Sequence, residues 1–209
     1  MVERSIYTRR VASSSLASRT TMEKVPNTIE NPWNIVFKGD LLAIEKHGTK
    51  KFERAVRPPG VRLILTNTED KILLTREFRS EQGKHDFRLP GGKVFDDLDS
   101  YLSVRGDTEA LNEQVLRAGT VEAKQEAGVD EIENLSILSK SVAGASVEWD
   151  LYYLTGNIEI IGEQDLKEDE IEHGIDVGFY TKEEVIEMLK AGEISEDRSV
   201  GILFRYLLA

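Results

Sequence analysis

The stretch VRLILTNTEDKILLTREF, residues 61–78, decides how the chain folds. Two apolar runs flank NTED, whose Asn and Asp favour a turn, so the segment reads as a β-hairpin. VRLILT and KILLTREF are too continuously apolar for strands with one wet face and read as core sheet. Upstream, PPG at 58–60 is the clearest breaker in the chain and marks a soft boundary. Before it, NIVFKGDLLAIEK (34–46) reads as two short strands around Gly39 and Asp40, and TKKFERAVR (49–57) supplies a third. Downstream, RLPGGKVFDD (88–97) ends a strand-like run in a proline and two glycines and then turns acidic.

A helix is predicted from about Asp107 to Ala127, stopping at Gly128. SILSKSVAG and WDLYYLTGNIEII follow as strands, and EQDLKEDEIEHG (163–174) is too charged for a core element and reads as a loop. DVGFY is the last strand, and Thr181 with Glu184 forms a capping box for the helix KEEVIEMLKAG. Val200, Leu203, Phe204 and Leu207 share one face of a final helix over 197–208. Strands before, between and after helices predict an α/β (α+β) fold: an α/β/α sandwich with a mixed sheet, plus a small N-terminal antiparallel sheet. The expected organisation is a flexible arm at 1–25, the N-terminal sheet at 26–58 and the main domain at 59–209.

Composition narrows the function. The 209 residues contain no cysteine and carry a formal net charge of -11. That charge disfavours a nucleic-acid backbone or an anionic membrane as the main partner, since both need basic surface. The lack of thiols fits a cytoplasmic protein, and no apolar run approaches the roughly 20 residues that span a bilayer. Residues 1–21 differ from the rest, with four arginines against one glutamate and many serines. They read as a flexible arm, or as sequence ahead of a start at Met22, with a targeting segment as the alternative.

Glu122 and Glu126 stand four apart in the predicted helix and share one face, where their like charges repel. A solvated acidic face is the ordinary reading of such a pair. Here, however, the helical line through Glu122 also passes Ala118, Val115 and Leu111, a packed side, so the carboxylates border a cleft. A hard cation such as Mg²⁺ takes one or two carboxylates plus phosphate oxygens, which makes it the natural occupant. The three histidines, His47, His85 and His173, form no metal-spacing pattern.

With Gly92 opening the pattern, and Glu113, Val121-Glu122-Ala123, Gln125-Glu126 and Gly128-Val129 following in unbroken register from Glu113, the sequence resembles a Nudix hydrolase. It departs from the family box in three ways. Five residues after the glycine become twenty, an insertion at about 93–112; Val121 replaces an arginine; Gln125 replaces a glutamate. The flanks, VRPPGVRLIL and ILLTREFRSEQGKHDFRLPGGK, are similar to the ADP-ribose pyrophosphatase branch, which usually has a glutamate where this chain has Arg88.

The resemblance implies a metal, Mg²⁺ or Mn²⁺, held by Glu122, Glu126 and the backbone carbonyl of Gly91. It implies that Glu122 and Glu126 serve catalysis together with a loop base, Glu170 first and Glu172 next, from the acids of LKEDEIEH. Arg76 and Arg79, in TREFR, are suited by their guanidinium groups to pair with a substrate phosphate or ribose from the strand edge, the alternative being surface charges of an alternating strand. The resemblance implies Glu148 as a further substrate contact and a nucleoside diphosphate derivative such as ADP-ribose or a nucleotide sugar as the substrate. A homodimer is also implied. The alternative is a non-catalytic protein of the same fold that binds ADP-ribose or a nucleotide and regulates a partner.

Overall fold

Strand β4 (Gly60–Thr66) is buried on both faces because its side chains alternate and each side meets its own layer of helices. Val61, Leu63 and Leu65 join a core with Val115, Ala123 and Ala127 of one long helix, α2 (Thr108–Ala127). Ile64 faces the other way. With Ile72 and Leu74 of β5 (Ile72–Arg79) it packs on α3 (Lys182–Ala191) and α4 (Asp197–Leu207), through Val185, Leu189, Ile202 and Leu203. The expected mixed-sheet sandwich of helix, sheet and helix is therefore present.

The computed structural model describes residues 32–80, 82–167, 171 and 174–209, so the expected arm at 1–25 lies outside it. Pro32–Ala209 forms one compact unit. The main sheet has the order β10-β5-β4-β9-β7, with β6 (Lys84–Arg88) paired to β5. Its other strands are β7 (Glu133–Ser141), β9 (Leu151–Asn157) and β10 (Ile175–Tyr180); β4 and β9 run parallel and the remaining pairs antiparallel.

The hairpin expected over 61–78 opens immediately. Strands β4 and β5 meet only at Thr66 and Ile72 before they part. Residues 90–93 enter the gap and take up the free edge of β4. Val61 N–H donates to Gly92 O at 2.9 Å, Leu63 N–H to Pro90 O at 2.9 Å, and Gly60 bridges Lys93. The Leu-Pro-Gly-Gly turn is thus built into the sheet.

The N-terminal sheet contains β1 (Trp33–Lys38), β2 (Ala43–His47) and β3 (Glu53–Val56), antiparallel as expected. A fourth strand, β8 (Val147–Glu148), joins β3 in parallel; at two residues it is too short to give a sequence pattern. Strand β1 is an edge, and its Ile35, Val36 and Phe37 are 45%, 59% and 57% exposed. The insertion folds as well. Asp97 accepts from Ser100 N–H and starts helix α1 (Leu98–Val104), whose Leu98 and Tyr101 enter a third core with Ala43 and Val56.

Local signals elsewhere hold closely. Asp107 caps α2, Gly128 ends it, and both bonds of the Thr181–Glu184 capping box form at α3. Among the described residues no helix is long and apolar enough to cross a membrane.

Candidate active site

The intruding segment presents Gly91 and Gly92 to the C-terminal half of α2, and that is where the two predicted carboxylates lie. Gly91 N–H donates to Glu126 Oε2 at 2.7 Å. Glu122 is buried against the next residue, so that a Cβ on Gly92 would sit 2.3 Å from Glu122 Oε1. Gly91 has φ +145°, and a Cβ there would fall 2.1 Å from Val61 O. Glycine at both positions is therefore a requirement of close approach, by β4 at one and by a carboxylate at the other.

Two carboxylates in so confined a space change their chemistry. Burial pushes the Glu126 carboxyl up to about 8; the Gly91 N–H pulls against that, and the neighbouring charge of Glu122 adds to it. Without a cation Glu126 therefore holds its proton at neutral pH. The donor set is all oxygen, which suits a hard divalent ion better than a soft one. Among the described residues no group of three or more acidic, His or Cys side chains is placed to hold a metal. Two carboxylates would thus have to be completed by backbone, water or phosphate oxygens, the usual company of Mg²⁺. The third expected donor, Gly91 O, already accepts from Arg62 Nη1 at 2.7 Å. A carbonyl keeps a second lone pair, so the set still fits a cation.

Arg62 links this turn to a wider charge network. Its Nε lies 3.2 Å from Glu196 Oε2, at the start of α4, and Ser199 Oγ donates to the same oxygen at 2.8 Å. Burial works against the Glu196 charge, but Arg62, Ser199 and Arg88 outweigh it and hold the carboxyl below its ordinary value. Arg88, which stands where the ADP-ribose branch usually has a glutamate, is 3.4 Å from Glu77 and 3.8 Å from Glu196. Sequence reasoning missed Arg62, Glu77 and Glu196. The one available signal was a lone arginine in the apolar run VRLILT, which has to find partners once the strand is buried.

The remaining predicted residues are not brought together. Arg76 and Arg79 are three apart on β5, so they leave opposite faces of the sheet. Arg76 pairs with Asp176 at 3.6 Å, whereas Arg79 pairs at 3.0 Å with Glu77, one of the charges felt by Glu126. Glu148 is engaged within the fold. It lies 3.0 Å from Arg54 Nη1, accepts from Tyr101 OH at 2.8 Å and is bound by Arg105, which also donates to Glu45 at 2.6 Å. This network ties the insertion to the N-terminal sheet. Burial opposes the Glu45 charge there, yet Arg105 and Arg54 hold its carboxyl below the ordinary value.

Glu170 and Glu172 lie outside the described residues, as do Glu168 and Asp169. The chain just before them clings to the end of α2. Gly162 N–H donates to Gly128 O, Asp165 N–H to Gln125 O, and Gln164 Nε2 bridges Glu126 O and Ile175 O. These bonds satisfy helix carbonyls that have no partner within α2. No protein-family model matches the chain, and no curated protein matches it in sequence.

Proposed function

We propose that the protein is a Nudix-type pyrophosphohydrolase that cleaves a nucleoside diphosphate linked to another group, with ADP-ribose or a nucleotide sugar as substrate. The observation that supports this most is the meeting of Glu122 and Glu126 at the Gly91–Gly92 turn, an all-oxygen pocket next to a cleft. Glu122, Glu126 and the carbonyl of Gly91 would hold Mg²⁺ or Mn²⁺. The bound ion would neutralise diphosphate charge and lower the pKa of a bound water. The chain's own contribution is placement. Gly91 N–H orients Glu126, Arg62 fixes the turn, and Arg79, on the same side of the sheet, offers a guanidinium to a phosphate. Arg76 remains a substrate contact on its guanidinium chemistry alone and Glu148 on the resemblance alone, and the resemblance alone names Glu170, with Glu172 next, as the acceptor of the water's proton.

The test is product formation from ADP-ribose and a panel of nucleotide sugars with Mg²⁺, read as phosphate after alkaline phosphatase, with Glu126→Gln as control. Turnover by the parent and its loss in the variant supports the proposal; equal turnover by both overturns the ligand assignment. A second reading, a non-catalytic nucleotide sensor, is favoured by the uncharged Val121 and Gln125 and by Arg62 on the Gly91 oxygen. It predicts ligand binding without turnover.

The protein is further proposed to work as a cytoplasmic homodimer. Ile35, Val36, Phe37, Leu41 and Leu42 expose apolar surface in and beside an edge strand, a surface that pairing would cover. Light scattering should give twice the chain mass, and Phe37→Asp should lower it. A parent that is monomeric at micromolar concentration would refute the dimer.

A further inference from the structure

Three features separate this chain from the box it resembles: Val121, Gln125 and the insertion. All three meet in one place. A cleft of about 620 Å³ lies between the inserted segment, including α1, and α2; Val121 and Gln125 line it one helical turn apart, and Glu122 forms part of its wall. That volume lies within the range of small-molecule sites. The inserted wall is fixed, because Leu98 and Tyr101 are buried and Arg105 is held by Glu45 and Glu148.

We propose that this cleft binds the sugar-phosphate half of the substrate, so that the insertion and the two substitutions together build a specificity pocket. The inference rests on the functional reading above and adds which half of the substrate the inserted segment recognises. Lys93 and Arg117 line the cleft without an ion pair among the described residues and supply cations for a phosphate. Gln125 lines the cleft, and its Oε1 is buried with no hydrogen-bond partner among the described residues, an acceptor that a sugar hydroxyl would satisfy once the side chain turns toward the cleft. Asp96, also in the lining, can accept a second hydroxyl, whereas Asp97 is already engaged by Ser100.

The substitutions follow the same logic. A glutamate at 125 would set a negative charge against a phosphosugar, and the amide keeps the acceptor without the charge. An arginine at 121 would fill space that valine, 44% exposed, leaves open. Because Glu122 borders both this cleft and the Gly92 turn, a diphosphate seated at the carboxylates would extend one of its arms into the cleft.

The test is calorimetric titration of the full chain with ribose 5-phosphate and, separately, with AMP, in Mg²⁺. Two variants are compared with the parent: Arg117→Ala, which removes a cation, and Val121→Trp, which fills the space. Both side chains are exposed, so both variants should fold. The expected result is at least tenfold weaker binding of ribose 5-phosphate in each variant, with AMP affinity within twofold of the parent. Unchanged ribose 5-phosphate binding in both variants overturns the proposal, as does a loss confined to AMP, which would put the nucleoside half in the cleft. Binding of AMP but not ribose 5-phosphate by the parent also overturns it while leaving the hydrolase reading intact. Binding of neither product overturns the assignment of the cleft, while the hydrolase reading stands or falls on turnover.

Discussion

Replacing Glu126 with glutamine in the metal-free protein should remove a pH dependence of folding. The Glu126 carboxyl is pushed up to about 8 in the folded state, chiefly by burial, while in the unfolded chain it takes the ordinary value of 4.5. The folded state therefore binds the proton more tightly, and its stabilising effect is complete below the unfolded value and lost as pH rises through the folded one. With a tenfold change in equilibrium for each unit, the loss amounts to about 2.5 kcal/mol between pH 5 and 7 and about 4 kcal/mol by pH 9. Glutamine keeps the shape and does not titrate. Urea unfolding in the presence of a chelator, repeated at pH 5, 7 and 9, should show the parent losing that much stability relative to Glu126→Gln. Added Mg²⁺ at pH 8 should restore the parent and leave the variant unchanged, since a ligand selective for the folded state raises stability. Two curves that stay parallel across this range would refute the claim that Glu126 is a confined, proton-holding carboxyl.

Gly92→Ala places a methyl group 2.3 Å from Glu122 Oε1, so the carboxylate must move; Mn²⁺ affinity measured by calorimetry should fall about tenfold or more, with secondary structure retained. Arg105→Ala leaves Glu45, only 2% exposed, with Arg54 as its remaining cation among the described residues, and should cost about 3 kcal/mol in urea unfolding. Thr181→Ala removes one half of a formed capping box and should cost about 1 kcal/mol in the same assay.

What could be read from residues alone was local. Asp107 and Gly128 bracket α2, and Thr181 with Glu184 opens α3, because a cap is made by residues within one turn of the helix end. Glu122 and Glu126 were legible from helical spacing, and the glycine turn from its own composition. What escaped depends on chain segments far apart in sequence. Arg62 and Glu196 are separated by 134 positions, and nothing near either one announces the other. The network around Glu148 was equally out of reach, because Arg54 comes from β3 while Tyr101 and Arg105 come from the inserted segment. Strand β8 exists only because β3 offers an edge, and α1 amphipathicity spans barely two turns, too few for a period to stand out.

The guanidinium of Arg62 has a consequence for handling the protein. It reaches from the peptide oxygen of Gly91 to the first turn of α4, on the far side of the sheet from α2. Helix α4 is thus a strut for the glycine turn, and a substitution that tilts that helix would be felt at the turn, where no residue had been altered.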